Sequence, residues 1–461
     1  MSNNDGLAAG LKVVGVCVYG AGPKFLSMCG IAGAEVFNIE NFKFGGDFGR
    51  NIPPRVVQGY SPFYLTHNLS VKSVGLDYST PEGMRILHTC LKDADIFVTN
   101  IHPKIAAKLG LTWEQFKKAD PELERLVCVS IAADHPESAE SKKPGVAPTA
   151  EAKTGIMALQ LDNNGLPQRS AVPFLDYSAA EKALAFAALA VNRCTRTGSG
   201  CQIAVSLTGT AISSLSYQAT LALNNFHQIK HREHSEHQTI PSARMLDTRT
   251  GPILVMAVTE PHWKKLCEVI ERKDLLHDDR FAGMEARLKN RTELSEILIA
   301  AFKKKTAPEW KQALEDHNIP CEIPKTIYDL LDSDHIESGN LVKVKGTPLG
   351  DEVIVPGCGV AVEGCELVYE PPHLLGEDTQ EFLTEFAGFD EKTIARLYER
   401  KIISSPFLFD EDSYVKLNSA AALLSPLLRE ESYSECAIAP PQEDGHEDAP
   451  GNPQDILKQT S

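Results

Sequence analysis

Leu11-Lys-Val-Val-Gly-Val-Cys-Val-Tyr-Gly-Ala-Gly-Pro-Lys-Phe-Leu-Ser-Met-Cys-Gly-Ile-Ala-Gly-Ala-Glu-Val-Phe-Asn-Ile-Glu40 is the stretch on which the fold turns. An apolar run of strand length ends at Tyr19, Gly20–Pro23 makes a turn, Lys24–Ala32 has helical character, and Gly33–Glu40 is a second strand. That is a βαβ unit, the start of a parallel sheet covered by helices. The glycines do not make a dinucleotide fingerprint, because the third position of the G-x-G-x-x-G pattern falls on Phe25. A tight turn between strand and helix accounts for them.

Strand and helix patterns keep alternating through the first half of the chain. Ser73–Asp77 is a short strand, and Thr80-Pro-Glu-Gly-Met-Arg85 starts a helix with Thr80 as N-cap and Pro81 in the first turn. Ala94–Asn100 and Leu123–Ala132 supply further strands, and Gln202–Leu207 another after the Thr195–Gly200 helix stop. Ligands of such sheets bind outside the carboxyl ends of the strands. Gly20, Ala21, Asn41, Asp77 and Asn100 all fall there. In Ser170-Ala-Val-Pro-Phe-Leu-Asp-Tyr-Ser-Ala-Ala-Glu181 an apolar run ends at Asp176, and an alanine-rich helix follows with Ser178 as candidate N-cap. A carboxylate at a strand-to-helix junction sits near the positive end of the helix dipole. It is either a cap or a nucleophile, and the residues alone leave both open.

From Ile240 the texture changes to a smaller α+β arrangement: a strand at Gly251–Val258, then helices at Glu260–Arg272, Arg287–Lys304 and Pro308–Asp316. Strands around Leu341–Val344 and Val353–Val355 follow. The expected division is residues 1–225 and 331–429 as two parts of one large α/β domain, 226–330 as the small domain, and 430–461 as an acidic disordered tail. His227, His231, His234 and His237 recur at helical spacing and could share a face toward a metal, but their wholly polar setting favours a solvated helix end.

The 461 residues carry a net charge of -16, which argues against nucleic acid as the main partner. Eleven cysteines without a C-x-x-C pair suit reduced core thiols rather than a disulfide framework or a zinc site. Met1–Gly6 lacks the charged-then-apolar pattern of a signal peptide, and the most apolar helix is too short to span a bilayer. The expectation is a cytoplasmic protein with no membrane partner.

The order of motifs resembles the family III CoA-transferases, which include formyl-CoA:oxalate, carnitine and hydroxyacyl CoA-transferases and the methylacyl-CoA racemases. The resemblance runs from Gly10 to about Ile403. It rests on Ala21-Gly-Pro23, Gly33-Ala-Glu-Val36, Gly46-Asp-Phe-Gly-Arg50, Leu76-Asp-Tyr-Ser-Thr-Pro-Glu-Gly83, Ala94–Asn100, Leu109-Gly-Leu-Thr112, Thr197-Gly-Ser-Gly200, Asp278-Asp-Arg-Phe281 and Pro371-Pro-His-Leu-Leu-Gly-Glu-Asp-Thr379. It implies a Rossmann-like parallel sheet built from both chain ends, a smaller α+β domain, and an interlocked homodimer. It also implies that Asp176 is a nucleophile passing through an acyl anhydride and an aspartyl-CoA thioester. Coenzyme A and its acyl thioester would be substrates rather than a resident cofactor, with a small carboxylic acid as acceptor and no metal. The CoA contacts of relatives fall on Gly20, Ala21, Asn41, Leu76, Asp77, Tyr78, Ser79, Asn100, Ile101, His102 and Lys108.

Three departures accompany the resemblance. Ala132–Glu137 stands where relatives commonly have a glycine-rich run, and Pro144-Gly-Val-Ala147 replaces Pro-Gly-Tyr-Asp. The glycine loop that shields the intermediate in some relatives has no counterpart around His231–Pro241. Two alternatives remain: an acyl-CoA racemase or isomerase of the same fold, for which Gly145–Ala147 supplies no proton carrier, and a homologue that binds CoA or acyl-CoA without turnover.

Overall fold

The computed structural model describes residues 6–331 and 333–404. Its centre is a seven-stranded sheet made of β1 (Lys12–Val16), β2 (Glu35–Glu40), β3 (Lys72–Leu76), β4 (Ile96–Thr99), β5 (Val127–Ala132), β6 (Cys201–Ser206) and, from the far end of the described chain, β12 (Ile403–Ser404). The order is β12-β3-β2-β1-β4-β5-β6. All neighbours are parallel except β12, which runs antiparallel to β3 with Ile403 opposite Leu76. The strands read as nearly continuous apolar runs because both sheet faces are covered.

On one face, the helices Pro81–Leu91, Thr379–Ala387 and Glu391–Glu399 enclose Phe37, Leu76, Phe97, Phe382 and Leu397. On the other, helix Ala21–Ile31 packs against helix Phe174–Thr197, whose buried Ala179, Ala183, Ala187 and Ala190 recur every third or fourth residue. Small side chains at that spacing let the two helices approach closely. Thr80 caps its helix as expected, its hydroxyl accepting the Gly83 N–H at 3.0 Å.

A separate antiparallel sheet of β7 (Ala243–Asp247), β8 (Pro252–Met256) and β9 (Cys321–Glu322) carries a core built on Trp263, Phe281, Phe302 and Trp310. A hairpin of β10 (Leu341–Thr347) and β11 (Gly350–Pro356) completes the described elements. Among the described residues, no helix is long and apolar enough to cross a membrane.

Four expectations need correction or relocation. No strand precedes Asp176: residues 168–173 are irregular, and the helix begins at Phe174 with Pro173 at the N-cap, so Ser178 is already inside it. The apolar run before Asp176 is the helix's own first turn, which a short apolar pattern cannot distinguish from a strand. The long helix expected through Ala219–Phe226 is two, Leu207–Ser214 and Ser216–Leu223, broken where Ser216 takes a left-handed φ of 51°. The histidine series is not helical: only Glu233–Ser235 forms a 3-10 turn, His231 turns to the Leu159 carbonyl and His237 to the Tyr217 hydroxyl. The tail expected beyond Glu430 lies outside the described residues.

Candidate active site

The sheet order reverses direction between β1 and β4, since β1 connects to β2 on one side while β4 and β5 extend on the other. The crevice at the carboxyl ends of such a strand pair is where open α/β sheets take ligands. Asn100, just past β4, bridges this crevice. Its side-chain oxygen accepts the Val18 N–H at 2.9 Å and its amide donates to the Val18 carbonyl at 2.7 Å. The next residue on that strand end, Tyr19, is left-handed at φ 71°, a conformation that costs a non-glycine residue free energy and persists only where neighbours enforce it.

Gly20 follows as the N-cap of helix Ala21–Ile31. A Cβ placed on it would lie 3.0 Å from the Asp176 Cγ and 3.2 and 3.3 Å from its two oxygens. The Asp176 carboxylate, in the first turn of its own helix, therefore rests on the bare backbone that opens another helix. Gly20 has no side chain because the carboxylate occupies that space. Among the described residues, no donor is bonded to the Asp176 carboxylate, and the N–H groups of Gly20, Ala21 and Gly22 have no acceptor. Burial, and secondarily the charge of Glu151, push the Asp176 carboxyl up to about 6. Glu151 was not singled out from sequence. It lies buried on helix Ala147–Thr154, where its Oε2 accepts the Ser170 N–H at 2.8 Å and so tethers the segment leading to Asp176.

The remaining predicted residues divide into groups. Asp77, Asn41 and Ser79 converge with Lys43: the Asn41 amide donates to Asp77 at 3.1 Å, Lys43 pairs with it at 2.5 Å, and the Ser79 hydroxyl also donates to it. Burial opposes ionisation of Asp77, but these donors outweigh it and hold the carboxyl below its ordinary value. Leu76 and Tyr78 belong to the core, so only their backbone can face a ligand. His102 caps the short helix Pro103–Leu109, and the Ile101 N–H donates to the Thr99 hydroxyl at 3.2 Å. Lys108 is exposed in the last turn of that helix.

The Gly46-Asp-Phe-Gly-Arg50 motif takes its role from the packing around it. Arg50 and Glu40 are fully buried and paired through two bonds, of 2.9 and 2.6 Å. Arg50 also reaches the Tyr64 hydroxyl, Ser73 and the His373 carbonyl at 2.5, 3.2 and 3.2 Å. Ser73 in turn receives the Gly376 N–H, and its own N–H goes to Asp378. The glycine-rich motif and Pro371–Thr379, at opposite ends of the chain, form one polar network.

The carboxylate beside Gly20 thus lies at the switch point of a doubly wound α/β sheet, where proteins of that architecture take their ligands. The model of CoA-transferase family III matches residues 8–379, and the chain belongs to that family. It is 28% identical over 403 residues to (R)-2-hydroxy-4-methylpentanoate CoA-transferase of Clostridioides difficile, covering 86% of this chain and 99% of that one. It is 26% identical to succinyl-CoA:glutarate CoA-transferase of Mus musculus, covering 84% and 88%. Among solved structures, a mutant of Rv3272 from Mycobacterium tuberculosis superposes with a TM-score of 0.72 at 23% identity, over 82% of this chain and 98% of that one.

Proposed function

We propose that the protein transfers CoA from an acyl-CoA to a free carboxylic acid through covalent intermediates on Asp176. The observation that carries this is the Asp176 carboxylate itself: half-buried, unpaired, and pressed against Gly20 beside three unoccupied N–H groups. A carboxylate oxygen attacks the thioester carbonyl, the C–S bond breaks, and CoA leaves as thiolate, giving an anhydride. The thiolate then attacks the aspartyl carbon, releasing the donor carboxylate and leaving an aspartyl-CoA thioester. The acceptor carboxylate repeats the sequence in reverse and restores Asp176. The N–H groups of Gly20, Ala21 and Gly22, at the positive end of a helix, suit the oxyanion of each tetrahedral step. Partial burial strips water from the nucleophile and from the hydrolysable anhydride.

Asn41, the Leu76–Ser79 turn, Asn100–His102 and Lys108 are proposed to frame the CoA, with Lys43 a further cation at the carboxyl end of β2. A homodimer is part of the same proposal. It is supported by the outward face of helix Phe174–Thr197, where Phe186 and Leu189 stand 60% and 66% exposed. The chemistry follows from testing 4-methylpentanoyl-CoA with (R)-2-hydroxy-4-methylpentanoate, and succinyl-CoA with glutarate, as donor–acceptor pairs. Wild type should form the new thioester with at least one pair and Asp176→Ala with none; transfer by the variant at the wild-type rate would refute the assignment. The carboxylate pair Asp176 and Glu151 favours one second reading, proton exchange at the α-carbon of an acyl-CoA. Deuterium uptake there without an acceptor acid would select it.

A further inference from the structure

Asp47 is fully buried and touches neither of the two carboxylates at the proposed reaction centre, yet it ends one residue away from Gly20. One of its oxygens accepts two backbone N–H groups, Tyr19 at 2.7 Å and Gly49 at 2.8 Å. The other oxygen is buried with no partner among the described residues. Its own N–H donates to Glu40 at 2.6 Å, which joins it to the Glu40–Arg50 pair and through Ser73 to Pro371–Thr379. The Tyr19 it holds is the left-handed residue, and the next Cα faces Asp176.

Resting on the CoA-transferase function above, we propose that Asp47 is a positioning residue for Asp176. It fixes the left-handed Tyr19 and thereby the Gly20 backbone against which the nucleophile packs. The Tyr19 ring is held from the other side by Phe63 and Phe48, at centroid separations of 5.0 and 6.1 Å, so the turn is gripped at both backbone and side chain. The useful property of Asp47 is its acceptor oxygen rather than its charge. Burial, then the neighbouring Glu40, push its carboxyl up to about 7, and a neutral amide would keep the acceptor while removing the like charge beside Glu40. Without an acceptor, the buried Gly49 N–H and the part-buried Tyr19 N–H lose their partner, and Tyr19 is free to relax toward ordinary φ.

The test compares wild type, Asp47→Asn, Asp47→Ala and the similarly branched Asp47→Leu as full chains, with the faster of the two donor–acceptor pairs above. It measures kcat, KM, CoA affinity by calorimetry, and thermal unfolding. The expected result is a kcat lower by roughly 100-fold in the Ala and Leu variants, the size of effect a ~1 Å misplacement produces. KM and CoA affinity should hold near wild type, and Asp47→Asn should recover most of kcat. If the Ala variant does not fold, the Leu variant carries the comparison. Wild-type kcat in a folded Ala or Leu variant would overturn the inference, and so would an Asn variant as impaired as they are. Absence of transfer by wild type with either pair is a different result, and refutes the functional proposal itself.

Discussion

Replacing Gly20 with Ala perturbs the proposed centre at one defined point. The backbone of Gly20 sits at φ -107° and ψ -85°, just outside the main right-handed α region, so the new methyl adds a modest backbone strain to the contact it makes. Its only serious conflict is with the Asp176 carboxylate, whose Cγ lies 3.0 Å from the added carbon. Carbon atoms pack at about 3.5–4.0 Å, so the carboxylate must retreat by roughly 0.5–1 Å. Misplacement of a reacting group by ~1 Å costs about 100-fold in rate, equivalent to about 2.7 kcal/mol of barrier. The expected outcome is therefore a kcat for CoA transfer lower by about two orders of magnitude with little change in melting temperature. Steady-state kinetics with thioester formation followed by mass spectrometry, alongside circular dichroism melts, reads both. A Gly20→Ala enzyme with wild-type kcat would refute the claim that the reacting carboxylate rests on this backbone.

Three further outcomes follow from the same geometry. Asp176 is pushed up to about 6 by burial and by Glu151, and the proposed nucleophile is its ionised form, so activity should fall as pH drops through about 6. Glu151→Gln keeps an acceptor for the Ser170 N–H but removes the negative charge, so the acid limb of the pH–rate profile should move to lower pH; a limb that stays or moves up contradicts the coupling. Arg50→Met leaves the buried Glu40 carboxylate without its cation and should destabilise the fold by about 3–5 kcal/mol in urea titrations, whereas a loss under ~1 kcal/mol would show that the pair is not needed.

Much of the sheet was legible because local rules and tertiary context agree there. The apolar run before Tyr19, the Thr80-Pro81 helix start and the strand ends at Asn41, Asp77 and Asn100 are set by patterns that span a few residues. That the far end of the chain joins the sheet came only from the resemblance, and the antiparallel edge β12 was not read at all, since no short pattern reveals that Ile403 pairs with Leu76. The setting of Asp176 was misread for a physical reason. Phe174 and Leu175 look like the end of a strand, but they are the first turn of a helix whose N-cap Pro173 offers no side-chain bond to signal it. The contacts that define its surroundings join residues far apart in sequence: Gly20 with Asp176, Asp47 with Tyr19, and Arg50 with the His373 carbonyl. Composition and spacing carry no record of such pairs. The alternation of glycine, aspartate and arginine in Gly46–Arg50 was the nearest signal, and it pointed to a motif without saying what the motif holds.

The covalent step is open to direct observation. Wild-type protein incubated with 4-methylpentanoyl-CoA or succinyl-CoA, quenched with hydroxylamine and digested, should yield a peptide carrying a hydroxamate at Asp176, while Asp176→Ala protein should yield none. CoA transfer by wild type with the Asp176 peptide unmodified throughout, or with the hydroxamate on another carboxylate, would contradict it.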